Sequence, residues 1–76
     1  MINNMDLLNI LPPSAQIVYH VLRTHENLTT NQIVSETRYS IRTIRYALRR
    51  LIKAHLIKQI PDIKDTRRCY YAIRSQ

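Results

Sequence analysis

Apolar residues recur first at helical spacing, in three blocks, and then with the alternation of strands. Ile17, Val21 and Leu22, with Val18 beside them, predict a first helix from Ser14, its N-cap, to about His25. Pro12-Pro13 marks where the chain enters it. Leu28-Thr29 reads as a short extended piece. Thr29 followed by Gln32 is a capping box, in which each side chain satisfies the other residue's backbone N–H. It predicts a short helix from Thr30 to Glu36 with Ile33 and Val34 on its apolar face. After a turn at Thr37 to Tyr39, Ser40 is placed to cap a third helix, residues 40–54, whose Ile44, Leu48 and Leu51 share one stripe. His55 then ends it, as one of the few non-glycine residues tolerated in the left-handed conformation. Leu56 to Ile60 and Arg68 to Arg74 are rich in Ile and Tyr and read as two strands of a hairpin joined by Pro61 to Arg67. On the second strand Cys69, Tyr71 and Ile73 alternate with Arg68, Tyr70, Ala72 and Arg74, so one face is core and the other wetter.

This order predicts a mainly helical α+β fold, three helices followed by a C-terminal β-hairpin. Residues 1–13 read as an apolar leader and residues 14–76 as the domain. A chain of 76 residues holds one small domain, and such a domain buries only about 60% of its unfolded surface. Cys69 is the single cysteine, so no disulfide framework exists and the 11 Ile and 8 Leu must supply the core. A lone thiol fits a reducing compartment. Met1 to Leu11 carries no basic residue and includes Asp6, unlike a signal peptide. No apolar run approaches the roughly 18 residues of a membrane span. A cytoplasmic protein is expected.

Charge sharpens the picture. Residues 1–37 hold Arg23 against Asp6, Glu26 and Glu36, a net −2. Residues 38–76 hold eight Arg and three Lys against Asp62 and Asp65, a net +9. A merely solvated basic surface would intersperse its signs; this segregation points to a polyanion. Opposite the apolar stripe of the third helix lie Arg42, Thr43, Tyr46, Arg49, Arg50 and Lys53.

Two helices joined by a short turn, the second presenting its N-terminal half outward, form a helix-turn-helix, whose second helix fits the major groove. Arg42 and Arg45 are suited to bidentate donation to guanine, and Thr43 and Tyr46 to a base, a phosphate or a thymine methyl. Arg49, Arg50 and Lys53 should meet phosphates. The hairpin loop, a wing over residues 61–68, carries Lys64, Arg67 and Arg68, and an Arg on a narrow protrusion suits an A·T-rich minor groove. Asp65 is placed to hold Arg67 by an exposed ion pair.

From Leu28 to Ile73 the chain resembles, without a gap, the winged helix-turn-helix domain of the MarR-type regulators. The matching pieces are Leu28-Thr29, Ile33-Val34, Ser40-Ile41-Arg42-Thr43-Ile44, Leu48-Arg49-Arg50-Leu51, His55-Leu56-Ile57 and Asp65-Thr66-Arg67. The resemblance implies DNA contacts by Ser40, Arg42, Thr43, Arg45, Tyr46 and Arg67. It implies a sequence-specific regulator of transcription that occupies promoter DNA to block or recruit polymerase. Two family glycines are replaced, by Arg38 in the turn and His55 after the third helix, so both bends fall to costlier residues. The family dimerises through long terminal helices, whereas this chain stops at Gln76. Its length and basic helix look more like small regulators of archaeal plasmids and viruses. A homodimer on an inverted repeat is expected, with half-sites about one turn apart. Leu7, Leu8, Ile10 and Leu11 either join the two copies or cover their own core.

Other chemistries find little support. His20, His25, His55 and Cys69 match no zinc spacing. The acids are scattered, with no phosphate-binding glycine loop and no nucleophile beside a base, so neither enzyme activity nor a cofactor or small-molecule ligand is expected. Residues 41–58 form a basic amphipathic stretch that in isolation would also suit an acidic protein groove or an anionic membrane. Burial of Ile44, Leu48 and Leu51 in a folded domain would leave no face for lipid. Tyr46, Ile41 and Ile63 are candidates for exposure, and at least one of Tyr70 and Tyr71 should pack the hairpin onto the third helix.

Overall fold

The computed structural model describes residues 8–65 and 67–74. Helix α1 (Pro13–Arg23) begins with Pro12 as N-cap residue and a proline in the first turn, where a missing N–H costs nothing and φ is preset. Ser14 therefore lies inside the helix instead of capping it. The helix ends two residues before His25, where two side chains converge on the Val21 carbonyl. The Thr24 hydroxyl donates to the Val21 carbonyl at 2.8 Å, and the His25 ring nitrogen lies 2.9 Å from the same oxygen.

Helix α2 (Thr30–Thr37) opens with the capping box in full. The Gln32 amide donates to the Thr29 hydroxyl at 3.2 Å, and the Thr29 amide to the Gln32 side-chain oxygen at 2.8 Å. It runs one residue past Glu36 and ends on Arg38, left-handed at φ 64°. Helix α3 (Ile41–Lys53) is capped by Ser40, whose hydroxyl accepts from the Thr43 amide at 3.2 Å.

The exit from α3 explains where the hairpin starts. His55 adopts φ 60°, its amide donates to the Ile52 carbonyl at 3.0 Å, and the Leu56 amide donates to the Leu51 carbonyl at 3.1 Å. This is the double hydrogen bond of a Schellman motif, with its apolar contact supplied by buried Leu56 and Leu51. Leu56 is thereby consumed in ending the helix, and strand β1 (Ile57–Pro61) begins one residue later than the pattern suggests. It pairs antiparallel with β2 (Cys69–Ile73), from Ile57 opposite Ile73 to Pro61 opposite Cys69. Leu28 bridges the other edge of β2 through Tyr71, with N–O distances of 3.0 and 2.7 Å. The segment before α2 is thus stitched to the hairpin.

All three helices and both strands bury side chains in one core. Ala15, Val18, Leu22, Ile33, Ile44, Ala47 and Leu51 are completely buried there, each large one worth about 1.5–3 kcal/mol of apolar transfer. The predicted stripe of α3 is its inward face, packed on α1, α2 and β1. On β2 the expected alternation gives way. Ala72 is its buried residue, while Tyr71 and Ile73 pack half-buried against the core, because α1 and α2 both lie on this strand. Ahead of α1, Leu8 and Leu11 join the core, whereas Ile10 is exposed; Leu7 lies outside the described residues.

Candidate nucleic-acid interface

With Ile44, Ala47, Leu48 and Leu51 held inward, helical geometry turns Arg42, Tyr46, Arg49 and Lys53 outward. Arg42, Arg45, Arg49 and Lys53 are exposed, and Thr43 is half-buried. Ile41, Arg42, Thr43, Arg45, Tyr46 and Arg49 line one open hollow along the first two turns. Ser40 stands at its edge, committed on two sides: it caps the helix and also donates to the Thr43 hydroxyl at 3.0 Å. Tyr46 is 45% exposed, and its phenol oxygen accepts from Arg50 Nη1 at 2.9 Å. Arg50 and Lys53 line a separate dent with Leu11 and Ala54. The three residues grouped by sequence as phosphate anchors are therefore split, with Arg49 in the hollow and Arg50 beside it.

The wing is held by its own aspartates. The Lys64 amide donates to Asp62 Oδ1 at 2.9 Å, and the Arg67 amide donates to Asp65 Oδ1 at 3.0 Å. Arg67 Nε lies 3.3 Å from the same Asp65 oxygen, with the arginine side chain 90% exposed. Ile63, 96% exposed, projects from the tip next to exposed Lys64; Thr66 is outside the described residues.

The wing and α3 face each other across a groove. Arg45, Arg67 and Cys69 line both of its hollows, Arg68 one of them, and Leu48 and Tyr71 form part of the floor. Tyr71 packs on the core, but its strand lies on α1 and α2, and the hairpin meets α3 through β1 and not through the tyrosine expected there. Burial pushes its phenol up from the usual 10.0, and the hydrogen bond shared with Cys69 adds to this, while Thr30 and Arg45 pull the other way. Thr29, Thr30 and Asn31 at the start of α2, and Gln59 on β1, also line the groove. Sequence reasoning passed over them, since their only local signal is polarity. His25 is engaged with α1's end, and the His55 ring lies 3.3 Å from Arg74 Nη1. No three of His, Cys, Asp and Glu converge among the described residues, and none of the described helices is long and apolar enough to cross a membrane.

The sequence profile of the winged helix DNA-binding domain matches residues 12–73. The chain belongs to that family. No curated protein matches the sequence. Solved structures do share its architecture. A probable transcriptional regulator from Pseudomonas aeruginosa is 26% identical, with a TM-score of 0.80 over 90% of this chain and 52% of that one. A complex of MepR from S. aureus with DNA gives 23% identity and a TM-score of 0.80, covering 93% of this chain and 58% of MepR. A mutant MarR from E. coli complexed with operator DNA gives 16% and 0.78, covering 91% and 54%. The last two likenesses are of fold alone. This winged helix domain spans about half the length of the structures it matches.

Proposed function

We propose that this winged helix domain is a sequence-specific regulator of transcription in the cytoplasm, acting without catalysis of its own. In this reading α3 enters the major groove of double-stranded DNA and the wing, residues 61–68, lies at the minor groove. One observation carries it. Arg42, Arg45 and Arg49 of α3 line one outward hollow, and Arg45 and Arg49 also share a hollow with Arg67 of the wing, while the apolar stripe that a membrane would need is fully occupied by the core. That similar folds occur bound to DNA supports the same docking here. Arg42, Arg45, Thr43 and Tyr46 are the base readers, with Ser40 at the helix start. Arg49, Lys53, Lys64 and Arg68 meet phosphates and Arg67 enters the minor groove.

A single domain reads few base pairs, so two copies bind an inverted repeat. Half-sites would lie about 34–36 Å apart, one turn of the duplex. The test is calorimetric titration of a palindromic duplex, found by footprinting DNA that flanks the protein's own gene. Two proteins per duplex and a steep fall of log K with log salt are expected; with roughly five phosphates met per copy the slope is about −4.5. A 1:1 endpoint would sink the two-copy arrangement, and a flat salt response would favour an acidic protein partner over DNA.

A further inference from the structure

Arg50 stands apart from the other arginines of α3. Arg42, Arg45 and Arg49 are exposed, whereas Arg50 is half-buried. Its Nη1 lies 2.9 Å from the Tyr46 phenol oxygen, and its guanidinium carbon lies 5.8 Å from the centre of that ring. Tyr46 lines the reading hollow with Arg42 and Arg49; Arg50 does not. Its one side-chain partner in that hollow is Tyr46.

The chemistry of the pair is one-directional. A guanidinium has only donors and stays protonated, so in this contact the phenol oxygen accepts. The phenol's own proton is left to be given away. A free tyrosine can either donate or accept; one held by Arg50 is a donor with its acceptor side engaged. In the major groove guanine, adenine and thymine each offer an acceptor, at N7 and O6, N7, and O4, whereas cytosine offers only its amino donor. We infer that Arg50 is a positioning residue that fixes Tyr46 as a hydrogen-bond donor to a base edge, so that Tyr46 selects against cytosine at the base it meets. The inference rests on the DNA reading above.

The test starts from a duplex selected out of a randomised pool by the wild-type full chain. Affinity is then measured for every single-base variant of that duplex and across a salt series. One position is expected at which cytosine binds about tenfold more weakly than the preferred base, a discrimination of the size one good base contact gives. Arg50→Ala and Tyr46→Phe each reduce it to within about twofold, the double substitution adds nothing further, and Arg50→Lys, which keeps a donor in reach, restores it. The salt slope of Arg50→Ala stays at the wild-type value, whereas Arg49→Ala lowers it by about 0.9, the share of one phosphate. Two results overturn the inference while leaving DNA binding intact. One is an even loss across all duplexes with a slope lowered by about 0.9, which makes Arg50 a phosphate anchor. The other is cytosine discrimination that survives Arg50→Ala. Wild-type protein that selects no duplex at all overturns the DNA reading, and this inference falls with it.

Discussion

Arg38→Gly should stabilise the protein. Arg38 closes α2 at φ 64°, where an L-residue's Cβ crowds the following carbonyl at a cost of about 1–2 kcal/mol. Glycine removes that crowding but brings more unfolded-chain entropy, worth about 0.5–1 kcal/mol. The backbone bond from the Arg38 amide to the Val34 carbonyl, 2.8 Å, needs no side chain and survives the change. The net gain is about 0.5–1 kcal/mol, or roughly 2–8 °C in Tm for a domain of this size. Removing a cation from a chain of net charge +7 would itself relieve repulsion, so the comparison that counts is with Arg38→Ala. That variant loses the same charge and keeps the Cβ. Urea unfolding of both, with equal m-values, isolates the backbone contribution. If Arg38→Gly is no more stable than Arg38→Ala, the left-handed strain assigned to this turn is absent and the reasoning fails.

Leu8→Ala should cost about 2–4 kcal/mol in the same assay, since it empties a buried site; unchanged stability would place this segment outside the core. Arg42→Ala should flatten base preference at one position by about 1–3 kcal/mol, read as relative affinities for single-base variants. A loss spread equally over all duplexes would assign Arg42 to the backbone instead. Stability should also fall on the alkaline side. The Tyr71 phenol is raised above 10.0 by burial, so the folded state holds its proton where the unfolded state has released it. Its contribution is fully present below pH 10 and is lost as pH rises through the folded value. Tyr71→Phe should flatten that alkaline limb in urea titrations at stepped pH, and an unaltered limb would contradict the assignment.

What was legible in the sequence is what depends on a few neighbouring residues. Thr29 with Gln32, Ser40 ahead of α3, and Asp65 beside Arg67 each announce a local hydrogen bond, and the structure contains all three. Arg38 and His55 could be read as left-handed because the chain must turn there and has no glycine to do it. The stripe of Ile44, Leu48 and Leu51 oriented α3 because burial at helical spacing admits one answer. Some misses are local choices between competing partners, and others depend on contacts between distant segments. Ser14 looked like a cap, but the preset φ of Pro13 starts the helix one residue earlier, with Pro12 in the cap position. Leu56 looked like a strand residue, yet its amide is drawn back to Leu51. Nothing around Leu28 says that it will bridge Tyr71, and nothing around Arg45 says that it will share a groove with Arg67. Spacing alone likewise put Arg50 with Arg49, since a guanidinium's choice of partner is made by its rotamer.

That groove also says why the fold keeps its charges as it does. Among the described residues a single salt bridge forms, Asp65 with Arg67, and it is exposed, so it adds little to stability. Helix α3 carries Arg42, Arg45, Arg49, Arg50 and Lys53 with no acid among its 13 residues. The Leu28–Tyr71 bridge and the hairpin hold the wing where Arg67 and Arg68 line one hollow with Arg45. Cations gathered this way repel one another, and at a Debye length of about 8 Å in physiological salt the repulsion is only partly screened. The free protein bears that cost, and on the proposed reading a phosphate backbone threaded past the groove would remove it while shedding its own counterions. Salt must then act in opposite directions on the two states. Raising it screens the repulsion and stabilises the free domain, while the same addition weakens the hold on DNA. A groove that served only for solubility would show the first effect without the second.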